Sequence, residues 1–181
     1  MRQNKDPEPM KLQLENHTWW SYLEEDLQEL LRESEILSEG IDKWGENFHD
    51  YAFVVFPAAK AYEGFLKKLF LDLGFITKED YYGKHFRVGK ALNPSLDPNF
   101  RVKEGVYHKL VEFCGTKKLA DRLWDTWKKG RNLVFHWFPN EKNAVSKTEA
   151  QTRLLMIVEA MDEAFKECLP RIDFASKSAV G

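Results

Sequence analysis

Cysteine is scarce in this chain of 181 residues, which contains only Cys114 and Cys168. Two cysteines are too few for a disulfide framework or, by themselves, for a structural zinc site. The spaced motifs of common metal and nucleotide sites are missing as well, since no CxxC, HExxH, GxxxxGK[ST] or GxGxxG occurs. These absences argue against the usual zinc enzymes, P-loop NTPases and dinucleotide-binding oxidoreductases.

Long apolar runs are also missing. The longest uncharged apolar run, from Tyr51 to Ala59, is about half of the roughly 20 residues that a membrane helix needs. The N-terminus, from Met1 to Asp6, has no apolar segment behind it, so no secretory signal is predicted. With 43% hydrophobic and 14% aromatic residues, the chain is predicted to be one folded cytoplasmic domain.

Charge is unevenly distributed, although the net charge is only −2. Residues 1–50 carry 5 basic and 13 acidic residues, whereas residues 101–131 carry 9 basic and 4 acidic residues. This asymmetry permits a compact site for a polyanion, with the acidic segment folded over it. The alternative is that both segments are solvated helix faces.

Helical periodicity dominates the chain, and no convincing strand pattern occurs. The spacing of apolar residues predicts an all-α, up-and-down bundle of five or six helices. Three glycines are predicted to end helices: Gly40, Gly74 and Gly115. The individual predictions are a helix from Trp19 capped by Thr18, one kinked helix or two abutting helices over 42–73 around Pro57, a helix from Asn99 to Phe113, a helix capped by Thr116, and a last helix from Thr148 to Leu169.

The predicted domain organisation is simple. Residues 1–18 form a loose lead-in, residues 19–170 form a single helical domain, and residues 171–181 form a flexible tail. Within the domain, residues 19–44 are an acidic N-terminal helix and residues 45–168 are the core.

The segment 131–138 contains polar residues within an otherwise apolar run. Arg131, Asn132 and His136 lie among leucine, valine and aromatic residues. In a helix, Asn132 and His136 would share a face at i, i+4. An imidazole moves protons near neutral pH and a guanidinium binds phosphate, so the segment suits acid–base chemistry on a phosphodiester. The alternative is a purely structural arginine and histidine that bond the backbone and hold helices together.

The arrangement Arg131-Asn132-x-x-x-His136 resembles the R-N-x-x-x-H form of the Rx4–6H motif of HEPN domains, which are small all-α ribonucleases. An earlier helical segment, 57–66, is similar to the helix that brings a glutamate to the site in RNase LS-type toxins. Glu63 is the residue that matches that glutamate. The resemblance covers roughly residues 45–168.

The resemblance implies a metal-independent endoribonuclease without a cofactor, acting as a toxin or in antiviral defence. It implies that His136 is a general acid or base and that Arg131 stabilises the charged phosphorane. Asn132 would orient His136 or the phosphate, and Glu63 would orient Arg131 or share in proton transfer. The implied partners are RNA, a second copy of the chain across a two-fold interface around Leu133–Phe138, and an antitoxin or regulatory protein.

Basic residues in and next to the helix that precedes the motif are predicted to guide the RNA backbone. These residues are Lys117, Lys118, Arg122, Lys128 and Lys129. Two other functions stay open at this point. One is a non-catalytic HEPN-like module that binds RNA, a nucleotide or a protein, and the other is a helical dimerisation module without a nucleic-acid role.

Overall fold

The computed structural model describes residues 11–45, 47–137, 139 and 143–178. Within these ranges the chain is all-helical and has no strand, which confirms the predicted fold class. In this part of the chain five helices have nine or more residues, and three short helices lie between the second and the third of these. The helices are α1 (Glu25–Gly40), α2 (Ala52–Asp72), α3 (Lys78–Tyr82), α4 (Val88–Ala91), α5 (Pro98–Glu104), α6 (Val106–Cys114), α7 (Lys118–Thr126) and α8 (Lys147–Ser178).

The segment before α1 is folded onto the core. Leu12 and Leu14 are buried, so residues 11–18 are not a loose lead-in, and residues 1–10 lie outside the described residues. Trp19 is fully buried, and its Nε1–H donates to Asp162 Oδ1 of α8 at 2.6 Å. Because this contact holds the indole against α8, the chain makes short 3-10 turns here. The helix begins at Glu25, and the predicted start at Trp19 with a Thr18 cap was wrong.

The connection from α1 to α2 also departs from the prediction. A 3-10 turn, Ile41–Trp44, follows α1, and Gly45 then adopts a φ of +67°, which a residue with a side chain rarely adopts. The second helix therefore begins at Ala52 instead of Asp42, and Pro57 lies inside it. Proline disturbs the hydrogen bonds of its own turn. The next backbone N–H, that of Ala58, donates to the buried Ser34 Oγ of α1 at 2.8 Å, which keeps this group satisfied.

Helix α2 is the centre of the bundle. It packs against α1 and α8, and the Tyr62 hydroxyl donates to the carbonyl oxygen of Leu123 in α7 at 3.1 Å. The helix ends as predicted at Gly74, which adopts a φ of +70°. The N–H of Phe75 then donates to Phe70 O at 2.8 Å and closes the last turn. Glu63 lies near the middle of this helix.

Short helices fill the region between α2 and α7. Gly105 has an extended backbone, and it separates α5 from α6, so the predicted single helix over 99–113 is two helices. Gly115 ends α6 with a φ of +72°, as predicted. The N-cap of α7 is Lys117 without a side-chain hydrogen bond, so the predicted Thr116 cap was wrong by one residue.

Helix α8 begins one residue before its predicted start and continues to Ser178, beyond its predicted end at Leu169. Most of the tail predicted to be flexible is therefore helical, and residues 179–181 lie outside the described residues. The buried face of α8 contains Ile157 and Met161, whereas Leu155 is 41% exposed.

Candidate functional site

A wide helical turn carries the arginine of the motif. Helix α7 ends at Thr126, and the chain continues as a π-helix, Trp127–Asn132, in which Leu133 N–H donates to Lys128 O at 3.0 Å. Gly130 is buried in this turn, and a Cβ atom there would lie 3.2 Å from Ile157 Cγ1 of α8. The absent side chain thus lets the turn approach α8 closely. π turns of this kind are often found at functional sites.

Arg131 reaches from this turn to the central helix. Its Nη2 lies 3.5 Å from Glu63 Oε2, and both side chains are 33% exposed. The guanidinium carbon lies 5.1 Å from the ring centroids of both Trp127 and Phe135. The ion pair and the two cation–π contacts together hold the guanidinium in one place at the protein surface.

His136 lies outside the helix. The π turn ends at Asn132, and the following residues form a turn and then irregular chain, so the helix that would place Asn132 and His136 on one face does not extend to His136. His136 is exposed, and its carbonyl oxygen accepts a hydrogen bond from Asn143 Nδ2. Asn132 is half-buried. Phe138, the end of the predicted interface segment, lies outside the described residues.

Phe135 contacts Arg131 and also lies at the cleft that His136 lines. Its ring packs on the Arg131 guanidinium, and Phe135 also lines a surface cleft together with His136. Among the described residues, no hydrogen bond or ion pair joins Arg131 to His136. The structure therefore brings Arg131 to Glu63, whereas His136 lines a cleft whose described lining residues do not include Arg131.

The cleft beside His136 has a volume of about 310 Å³ and contains a second histidine. His49 and Asp50 line it from the segment that precedes α2. Sequence reasoning missed both residues, because nothing in the local pattern around His49 points to His136. Only the tertiary fold brings these two segments of the chain together.

The predicted RNA-guiding residues occupy different settings. Lys117 and Lys118 are exposed at the start of α7, and Lys128 and Lys129 are exposed in the π turn. Arg122 is half-buried, and its Nη2 lies 2.7 Å from Glu159 Oε2 of α8. The charge of Arg122 is therefore matched within the chain, whereas the four lysines extend into solvent.

Acidic residues of the N-terminal segment form ion pairs both within the segment and with α8. Arg32 Nη2 lies 2.9 Å from Glu15 Oε1, and Asp42 pairs with Lys147 at the start of α8. The segment packs mainly along α2. These contacts favour the alternative of a helix packed by its leucines, and they give no support to an acidic cover over the basic residues.

Another cleft, of about 440 Å³, lies between the end of α2 and α4. His85, Arg87 and Lys90 line it, together with Phe75 and Phe86. Arg87 Nη1 donates to the carbonyl oxygens of Lys84 and Phe86, so this guanidinium braces its own loop. The exposed position of His85 agrees with a surface role.

Within the described ranges, no group of three His, Cys, Asp or Glu side chains is arranged to hold a metal ion. No helix in the same part of the chain is both long and apolar enough to cross a membrane. No family model, curated protein or solved structure matches the chain. The resemblance to HEPN domains accordingly rests on the motif, on the Glu63 segment and on the helical fold.

Proposed function

We propose that the chain is a metal-independent endoribonuclease of the HEPN type, acting on RNA as a toxin or defence effector. The observation that supports this proposal most is the contact between Arg131 and Glu63, at 3.5 Å. The two residues come from separate elements, and they are the arginine and the glutamate that the resemblance pairs in one site. Their partial exposure leaves room for a phosphate beside the guanidinium.

The reaction is an internal transesterification. The RNA 2′-oxygen attacks the adjacent phosphorus and loses its proton to a base, while the bond from phosphorus to the 5′-oxygen breaks and that oxygen takes up a proton. The products are a 2′,3′-cyclic phosphate and a 5′-hydroxyl. His136, exposed beside a cleft, serves as one of the two proton-transfer groups, and such a group typically accelerates a reaction by about 10²–10⁴-fold.

Arg131 stabilises the charge that develops on the phosphorane. A guanidinium that is already held in place needs little reorganisation when that charge appears. Glu63 acts on Arg131 as a positioning residue, because it fixes the guanidinium from the α2 side. Asn132, half-buried in the same turn, orients the phosphate or the chain that leads to His136.

Exposed basic and apolar side chains near Arg131 are suited to contact RNA and a second protein chain. Lys128 and Lys129 are exposed next to Arg131 in the π turn and are placed to contact the RNA backbone. Trp137 is 78% exposed, and Phe56, whose ring centroid lies 4.6 Å from that of Phe135, is 46% exposed. These apolar side chains support a two-fold contact with a second chain, and an antitoxin or regulatory protein would use the same face.

The decisive experiment compares RNA cleavage by the wild type and by single variants in the presence of EDTA. We expect His136→Ala and Arg131→Ala to abolish cleavage while the far-UV circular dichroism stays unchanged. His85→Ala is the matched control, because His85 is an exposed histidine in another cleft, and it should cleave at the wild-type rate. A requirement for Mg²⁺, or full activity of His136→Ala, would refute the proposal.

A second candidate function is supported by the environment of Arg131. The guanidinium already has Glu63 and two aromatic rings as partners, as a residue with a purely architectural role would. The chain would then be a non-catalytic HEPN-like module that binds RNA, a nucleotide or a protein. In that case the wild type retains RNA at low salt without cutting it, and Arg131→Ala lowers the stability of the fold.

The role of the lysines is tested by the salt dependence of RNA binding. Lys128→Ala and Lys129→Ala should weaken binding for all sequences and reduce the slope of log K against log salt by about one unit each. Lys78→Ala, which removes an exposed lysine from α3, is the control and should leave the slope unchanged. Equal effects of all three substitutions would mean that the π turn has no special role in binding.

A further inference from the structure

The cleft next to His136 is lined by three segments of the chain. One is the segment before α2 with His49 and Asp50, the second is the stretch 134–137 that follows the π turn, and the third is 143–144 before α8. Its volume of about 310 Å³ is of the size that holds a small ligand or a single nucleotide unit. Both histidines are exposed at its surface.

The His49 segment is anchored by its neighbours. Asp50 Oδ1 accepts hydrogen bonds from the backbone N–H of Ala52 at 2.8 Å and of Val145 at 3.1 Å. The N–H of Tyr51 donates to the carbonyl oxygen of Val145 at 2.8 Å. Three hydrogen bonds therefore fix the backbone next to His49, and two of them lead to Val145.

The His136 segment is anchored to the same short stretch. Asn143 Nδ2 donates to the carbonyl oxygen of His136 and, at 3.4 Å, to that of Leu133. Because Asn143 and Val145 are two residues apart, the backbones that carry the two histidines are held by one common support. The fold therefore places the backbones of His49 and His136 at one cleft.

We propose that His49 is the second proton-transfer group of the reaction site, paired with His136 within one chain. This inference rests on the proposed ribonuclease activity. A transesterification moves two protons, one from the 2′-hydroxyl and one to the 5′-oxygen. One neutral imidazole accepts the first proton as the bond from the 2′-oxygen to phosphorus forms. The other imidazole, protonated, donates the second as the bond from phosphorus to the 5′-oxygen breaks.

Besides the two histidines, the described lining residues of this cleft are Asp50, Asn143 and apolar residues. The imidazolium supplies positive charge to the phosphate as well as the proton. Asp50 is the third titratable side chain that lines the cleft. Since one Asp50 oxygen accepts two backbone N–H groups, Asp50 supports the loop that carries His49.

The first test does not depend on cleavage. In NMR spectra of the wild type, inorganic phosphate should shift the ring Cε1–H signals of both His49 and His136 with one common affinity, and leave the signal of His85 in place. Substitution His136→Gln should weaken the shift of the His49 signal that phosphate causes, because the two rings would hold one anion between them. A His49 signal that responds neither to phosphate nor to His136→Gln would overturn the pairing.

The second test uses the pH dependence of cleavage. The wild type should give a bell-shaped profile of kcat against pH, and His49→Gln should lose one limb of it and lower kcat by about 10²–10⁴-fold. His85→Gln is the control and should keep the full profile.

The outcomes separate the two proposals. If His49→Gln cleaves like the wild type while His136→Gln does not, the pairing is wrong and the ribonuclease proposal stands. If the wild type itself cuts no RNA, both proposals about the reaction fail, and the phosphate titration still reports whether the two histidines form one anion site.

Discussion

Substitution Gly89→Ala is expected to disturb the support of Arg131 from a distance. Gly89 lies in α4, and a Cβ atom at this position would lie 2.5 Å from Trp127 Nε1 and 3.1 Å from Trp127 Cε2. The indole is rigid and only 5% exposed, so it cannot turn aside into solvent. The same indole forms one of the two aromatic contacts of the Arg131 guanidinium, at 5.1 Å.

Two opposing effects determine how much Gly89→Ala changes the free energy of unfolding. Forcing extra atoms into a packed core typically costs about 1–3 kcal/mol. Alanine in place of glycine inside a helix gains at most about 1 kcal/mol, and a helix of four residues, Val88–Ala91, collects only part of that gain. We therefore expect Gly89→Ala to lower the free energy of unfolding by about 1–2 kcal/mol.

Urea unfolding followed by circular dichroism measures this difference, provided that the slope with denaturant is unchanged. Gly40→Ala is the matched control, because a Cβ atom there meets only ordinary contacts, the nearest being Trp44 Nε1 at 3.7 Å. It should leave stability unchanged or raise it by up to about 1 kcal/mol. In a Trp127→Leu background, which lacks the indole atoms that the added methyl group would meet, the cost of Gly89→Ala should disappear.

The packing argument is refuted if Gly89→Ala stabilises the chain as much as Gly40→Ala, or if its cost is the same with leucine at position 127. If the ribonuclease proposal is correct, Gly89→Ala should also slow RNA cleavage at temperatures at which the chain is fully folded, whereas Gly40→Ala should not. Such a loss would follow from the displaced indole, since Gly89 itself is not placed at the reacting atoms.

Ser34→Ala should lower the free energy of unfolding by about 1–3 kcal/mol, because a buried N–H of α2 loses its acceptor. Ser38→Ala should be neutral or stabilising in the same urea titration, since its buried hydroxyl has no partner among the described residues. Burial, together with the charges of Arg101 and Lys117, holds the pKa of His108 below its ordinary value of 6.5. The unfolded chain therefore takes up this proton more readily, so stability should fall as the pH drops below about 6.5, and His108→Gln should lose less stability between pH 7.5 and pH 5.5 than the wild type.

The features that the sequence predicted well are set by local chemistry. The ends of α2 and α6 at Gly74 and Gly115 follow from the left-handed backbone that glycine adopts without strain. The all-helical class follows from apolar spacing over long segments. Both signals lie within a few residues of the structure that they specify.

The features that the sequence did not reveal depend on contacts between distant segments. The start of α1 is delayed because Trp19 is held by Asp162, more than a hundred residues further along the chain. Pro57 is accommodated within α2, where a hydroxyl from α1 accepts the neighbouring N–H. No window of local sequence contains either partner, so periodicity alone placed both helix starts too early.

Some features of the candidate site were likewise anticipated from the sequence, and others were not. The approach of Glu63 to Arg131 was anticipated through the family resemblance, since spacing alone does not relate α2 to the π turn. The condition for a shared face of Asn132 and His136, a helix that continues to His136, is not met because the helical turn ends at Asn132. His49 gave no signal, because its neighbourhood with His136 arises from hydrogen bonds of both segments to residues 143–145.

The position of Phe135 decides how the parts of the motif work together. Its ring covers one face of the Arg131 guanidinium and forms part of the wall of the histidine cleft. Arg131 is not among the described residues that line this cleft, so in the proposed reaction it would reach a phosphate held there either past Phe135 or from a second chain. The proposed proton transfer by His49 and His136 would need no such interface, since both residues line one cleft of one chain. If Arg131 comes from a second chain, formation of a dimer would be needed for Arg131 to stabilise the charge on the phosphate. The proposed proton transfer would need only one copy of the chain.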